Sequence, residues 1–180
     1  MFGAFHGVCG IASLSLGALI FLVAKGTRTH IRVGWGYVTS MSCLNGSSLF
    51  IYHLTGGPNI FHALAIADLI MVWAGVLQAR YRARLRNWLW RHYQYMSWSY
   101  VGLLAATSNE AFVRLRVLKH LTAHSTVALP LLVSALIVVI SAAIIFRKQN
   151  SLLARWRSHD GAQRPHRGAA LRSHGARPTS

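Results

Sequence analysis

Residues 126–146 read TVALPLLVSALIVVISAAIIF, and from Ala135 to Phe146 the run is almost wholly aliphatic. An uncharged helix of this length reaches roughly 30 Å, the thickness of the hydrocarbon core of a bilayer. The surface of a water-soluble domain has no place for it, so a membrane organises the reading of the rest. Four further windows approach the same length: Gly3–Ala24, Gly34–Leu54, Ile60–Leu77 and Gln94–Val113. The last of these is the most polar, with Ser97, Ser99, Thr107, Ser108, Asn109 and Glu110. Gly56, Gly57 and Pro58 break the chain after the second window and predict an antiparallel hairpin. Trp88, Trp90, Tyr93, Tyr95 and Trp98 crowd the entry to the fourth, as an interfacial aromatic belt does.

Composition agrees. The chain has 180 residues, 53% of them hydrophobic, and its only acids are Asp68, Glu110 and Asp160. A net charge of +16 would point to nucleic acid if it formed a patch on a folded surface, but the basic residues lie in clusters between apolar runs. The charge therefore reads as topology, and no nucleic-acid partner is expected. With five spans, Lys25, Arg28 and Arg32, then Arg80 to Arg91, then the basic residues from Arg147 onward share one side, and only Arg114, Arg116 and Lys119 fall on the other. This bias predicts an N-terminus outside and a C-terminus in the cytoplasm, in a bacterial inner (plasma) membrane. Met1 to Val23 contains no Lys or Arg, so the first apolar run is expected to be a retained helix and not a cleaved signal.

Beyond Asn150 the chain turns to Arg, Ser, Gly, Ala and His with few apolar residues, too few to bury a core. The predicted organisation is a transmembrane helical domain over 1–149 and a disordered basic cytoplasmic tail over 150–180, drawn to anionic lipid headgroups. The fold class is all-α, a polytopic transmembrane helix bundle of about five spans.

Ionisable groups inside a membrane are expensive, which makes the few present the candidates for function. On this topology His6, His53 and His62 fall at the outer ends of the first three helices, Glu110 in the last turn of the fourth, and His120 and His124 in the loop beyond. His6 shares a face with Gly3, Gly10, Ser13 and Gly17, a small-residue side that should point into the bundle. On the fourth helix His92, Met96, Ser99, Leu103, Thr107, Glu110 and Arg114 form one stripe, with His92 and Glu110 roughly 27 Å apart along it. Asp68 stands midway along the third helix, as a proton-relay group or as the partner of a polar residue on another helix. Cys9 and Cys43 both lie within apolar windows that put them at different depths, too far apart for a bridge, and no disulfide is assigned.

Two segments carry a family resemblance. His30-Ile31-Arg32-Val33-Gly34-Trp35-Gly36-Tyr37-Val38 resembles an H-R-x-L-G-R-x-Y-V pattern, and His92-Tyr93-Gln94-Tyr95-Met96-Ser97-Trp98-Ser99-Tyr100 resembles H-R-x-W-M-x-R-S-Y, with Arg114 following. Both patterns are similar to those of a bacterial family of predicted membrane proteins, domain of unknown function 2306. The chain departs from them at Ile31, Gly36, Tyr93 and Ser97. The resemblance implies a multi-pass membrane protein, marks His30, His92, Tyr100 and Arg114 as family positions, and brings no established activity.

The expected function is a histidine-rich intramembrane site for haem b or a transition metal, serving electron transfer, with His6, His53, His62 and Glu110 at the outer end and His30 and His92 at the inner. The alternatives are a proton-coupled carrier using Asp68, Glu110 and the histidines, and a structural subunit that packs against membrane-protein partners. No nucleophile elbow, phosphate loop, HExxH helix or CxxC pair supports a hydrolase, kinase or thiol oxidoreductase.

Overall fold

The structure is a computed structural model that describes residues 2–51, 57, 60–114, 129–149 and 151. Among these residues all regular structure is helical: α1 Phe2–Leu22, α2 Arg28–Ser48, α3 Ile60–Arg80, α4 Trp88–Arg114 and α5 Leu129–Gln149. The chain divides into two compact units, Met1–Ala142 and the part from Ala143, whose described portion is mainly the last turns of α5.

α1 and α2 form a tight antiparallel hairpin. Lys25 turns back over the end of α1, where its ammonium donates to the carbonyls of Ile20 and Val23 and sits over the Phe21 ring. Gly26 then takes a positive φ of 78°, which a residue with a Cβ adopts reluctantly, and Thr27 caps α2 by accepting from the backbone N–H of His30. This cap explains a correction. The apolar window placed the second span at Gly34–Leu54, but the helix starts six residues earlier and stops at Ser48. Hydropathy skips the charged first turn, which the cap and the hairpin geometry keep helical. The fourth helix likewise begins at Trp88, before its expected start at Gln94, with Asn87 at φ 58° just ahead of it.

α3 returns against α2, α4 against α3, and α4 also touches α1, which closes the first four helices around one core. Cys9, Tyr37, Val38, Met41, Leu44, Val72 and Leu103 form that core. α5 meets α4 through Ser134, whose hydroxyl lies 3.4 Å from both the Ala105 carbonyl and the Ser108 hydroxyl.

The surface is the reverse of a soluble protein's. Val8, Ile11 and Leu22 on α1, Ile60, Leu64 and Ile70 on α3, and Leu132, Leu136 and Val139 on α5 are all exposed. Apolar faces this continuous are stable only against lipid. α1, α3 and α5 are long and apolar enough to cross a membrane. α2 and α4 are as long but more polar, and they hide that polarity in two ways. Tyr37, Asn45, Ser47, Ser97 and Ser99 are buried inside the bundle. Most of the serine hydroxyls also donate to carbonyls of their own helix: Ser40 to Tyr37, Ser42 to Val38, Ser47 to Leu44, Ser48 to Asn45, Ser99 to Met96 and Ser108 to Ala105. A hydroxyl bonded this way shows lipid little unsatisfied polarity.

Candidate functional site

The α1–α2 seam is built from neutral polar groups. His6 Nδ1 lies 3.1 Å from Ser47 Oγ, and Ser13 donates to Ser40 Oγ at 2.9 Å. Each hydroxyl has one proton, and Ser47 and Ser40 spend theirs on backbone carbonyls, so both accept from α1. The His6 ring is therefore protonated at Nδ1 and points into the bundle, as its small-residue face predicts. Between these two contacts Cys43 packs against the core cluster that contains Cys9, near enough for the two thiols to interact. The expectation that the cysteines lie at different depths is thus corrected. Moving the end of α2 back from Leu54 to Ser48 brings Cys43 to the level of Cys9, and both thiols are free.

The second polar group spans α2, α3 and α4. Asn45 Nδ2 donates to Asp68 Oδ2 at 2.8 Å, so Asp68 does pair with a polar residue of another helix. Its other oxygen, Oδ1, is buried and has no hydrogen-bond partner. Gly102 of α4 faces that oxygen, and a Cβ built there would stand 3.8 Å from it. Tyr37 is close enough to Asp68 to act on it electrostatically, and its hydroxyl donates to Ser99 Oγ at 2.9 Å, since Ser99 gives its own proton to Met96.

Further along the α3–α4 seam, His92 Nδ1 lies 2.8 Å from the Gly75 carbonyl. A carbonyl only accepts, so Nδ1 carries the proton, and in the neutral ring Nε2 keeps its lone pair. Met96 packs on Gly75, where an added Cβ would meet its methyl at 2.9 Å. The stripe read on α4 is therefore inward-facing over His92, Met96, Ser99 and Leu103. His30, in the first turn of α2, is near enough to His92 for an electrostatic interaction, and its Nδ1 is buried without a hydrogen bond.

Of the other candidates, His62 is buried in the first turn of α3 and Glu110 is half-buried near the end of α4. His53, His120 and His124 lie outside the described residues, as does the tail beyond Ser151. Among the described residues no three His, Cys, Asp or Glu side chains are grouped so as to hold a metal ion. The sequence reading passed over Asn45, Tyr37 and Ser40. The signal for Asn45 was present, as an amide deep in an apolar window that needs a partner at the same depth.

The family described as predicted membrane protein (DUF2306) matches residues 3–146, all five helices except the last turn of α5. No curated protein and no solved structure matches the chain.

Proposed function

The chain belongs to the DUF2306 family of predicted membrane proteins, and from that premise we propose that it is a proton-coupled membrane carrier whose proton-exchanging group is Asp68. The observation that carries this reading is the half-satisfied carboxylate. One oxygen of Asp68 accepts from Asn45, and the other is buried, bare and faced by a glycine. A carboxylate inside a bilayer with an unmet oxygen costs several kcal/mol as an anion, a cost that protonation or an incoming cationic or hydrogen-donating solute removes. Such a group exchanges a proton or a solute as its surroundings change. Asn45 holds the carboxylate in place in both states, and Tyr37, Ser99 and His92 extend polar groups from it toward the end where α4 begins.

The orientation that goes with this reading is the one the charge bias favours: N-terminus outside, C-terminus in the cytoplasm of a bacterial cell, and residues 150–180 a basic tail on anionic lipid. Reporter fusions after Arg86 and after Phe146 both give a cytoplasmic signal on this topology. The function is tested with the full chain in phospholipid vesicles under an imposed potential, using a trapped pH dye. Asp68→Asn abolishes proton flux, Asp68→Glu keeps part of it, and wild-type flux in Asp68→Asn overturns the reading.

One observation favours a second reading, electron transfer through haem b or a transition metal. His92 holds its Nδ1 proton on a backbone carbonyl, as ligating histidines do, and the neighbouring His30 has a bare buried nitrogen. Purified protein with a sharp Soret band that His30→Ala or His92→Ala removes would put this reading first; colourless, metal-free protein with Asp68-dependent flux leaves the carrier.

A further inference from the structure

The α1–α2 seam carries three side-chain pairs in one antiparallel register. His6, Cys9 and Ser13 on α1 face Ser47, Cys43 and Ser40 on α2, so that the cysteine pair is bracketed by contacts of 3.1 Å and 2.9 Å. Ser Oγ and Cys Sγ occupy the same position on their side chains. A hairpin spacing that lets Ser13 and Ser40 touch through these atoms also brings the two sulfurs near each other, and Cys43 packs against the core cluster that contains Cys9. The cysteines are unequal in access: Cys9 is 8% exposed within the core, whereas Cys43 is only partly buried at its margin. Both lie in helices that pack within the bilayer, out of reach of charged, water-soluble disulfides.

We infer that Cys9 and Cys43 form a dithiol–disulfide couple inside the membrane, oxidised by a lipid-soluble two-electron acceptor of the quinone class. Cys43, the more accessible thiol, adds to the quinone. Cys9 then attacks the Cys43 sulfur, the Cys43–quinone bond breaks, and the hydroquinone leaves. Two thiols and one quinone become one disulfide and one hydroquinone, with both thiol protons and the electron pair carried by the hydroquinone. The reaction follows ordinary thiol exchange, in which the attacked sulfur belongs to the residue that reacted first. It requires no charged reagent, and closure ties α1 to α2 at mid-hairpin. The inference is independent of the carrier reading, because Asp68 takes no part in it.

The test uses full-length protein reduced with dithiothreitol and reconstituted in phosphatidylcholine vesicles. Decylubiquinone or oxidised glutathione is added, and free thiols are counted by maleimide labelling after denaturation. The quinone removes both thiols, yields one hydroquinone per chain and gives an intrachain Cys9–Cys43 peptide by mass spectrometry, while oxidised glutathione leaves both thiols labelled. Cys9→Ser retains its Cys43 thiol or forms only a quinone adduct, and makes no intrachain link. The inference is overturned if both wild-type thiols still label after quinone treatment, if the only disulfide formed joins two chains, or if oxidised glutathione closes the pair as readily as the quinone. The wild-type count decides the matter even if the variant fails to fold.

Discussion

The two hairpins of the bundle are held by opposite kinds of seam. Between α1 and α2 the polar contacts are neutral and complete, His6 with Ser47 and Ser13 with Ser40, and they bracket the neighbouring thiols of Cys9 and Cys43. Between α3 and α4 the His92 ring does bond to the Gly75 carbonyl, but the other contacts are glycine clefts and buried polar groups with something missing. Met96 fills the space at Gly75, Gly102 leaves Asp68 Oδ1 bare, and Gln78 Oε1 at the end of α3 is buried without a hydrogen bond. Both hairpins are antiparallel pairs of long helices, so the difference lies in chemistry. A satisfied neutral pair holds two helices together at small cost, whereas an unsatisfied buried charge persists only where an exchange of partners is useful.

The contrast is broken most directly at Asp68. Asp68→Asn keeps an oxygen for Asn45 and removes the charge, so it is expected to abolish proton flux while raising thermal stability in detergent by about 1 kcal/mol or more. A variant less stable than wild type would mean that the carboxylate serves the fold. Next in size is Gly17, on the α1 face that meets Tyr37 and Tyr100, where an added methyl runs into the Tyr100 ring. That ring is fixed by its hydrogen bond to the Leu14 carbonyl at 3.2 Å and by packing on Phe21. Gly17→Ala should cost about 1–3 kcal/mol in chemical unfolding from micelles. The same change at Gly75 meets the flexible end of Met96 and should cost less than about 1 kcal/mol. If the two costs come out equal, the distinction between a rigid and a yielding neighbour fails. The smallest effect belongs to Ser13 and Ser40. A double-mutant cycle to alanine should return a coupling near 0.6 kcal/mol, with proton flux unchanged.

The sequence made the helices legible because lipid imposes a length and an apolar face that can be counted. α1, α3 and α5 therefore came out within a few residues, and α4 was recognised despite its serines. Its ends were less legible. The true start of α2 depends on Thr27 and Gly26, whose capping and turn chemistry hydropathy does not sense, and that misplacement hid the meeting of Cys9 with Cys43. Of the candidate site, the inward faces of His6 and of the His92–Leu103 stripe could be read from helical periodicity. The partner of Asp68 could not, because which helix lies opposite a given residue is a tertiary fact, and Asn45 was one of several polar residues at similar depth.

The alternation of apolar and polar helices has a consequence for biogenesis. A segment such as α2, taken alone, gains little by leaving an aqueous translocation channel for lipid, since its serines and Asn45 find inter-helix partners only after α1 and α3 have arrived. α1 precedes it across a turn of five residues, Val23–Thr27, and α3 precedes α4 across the compact link Tyr81–Asn87. Each apolar helix can thus enter the bilayer by itself and bring its polar successor in behind it, and a ribosome that has released α2 without α3 leaves Asn45 still lacking its carboxylate partner.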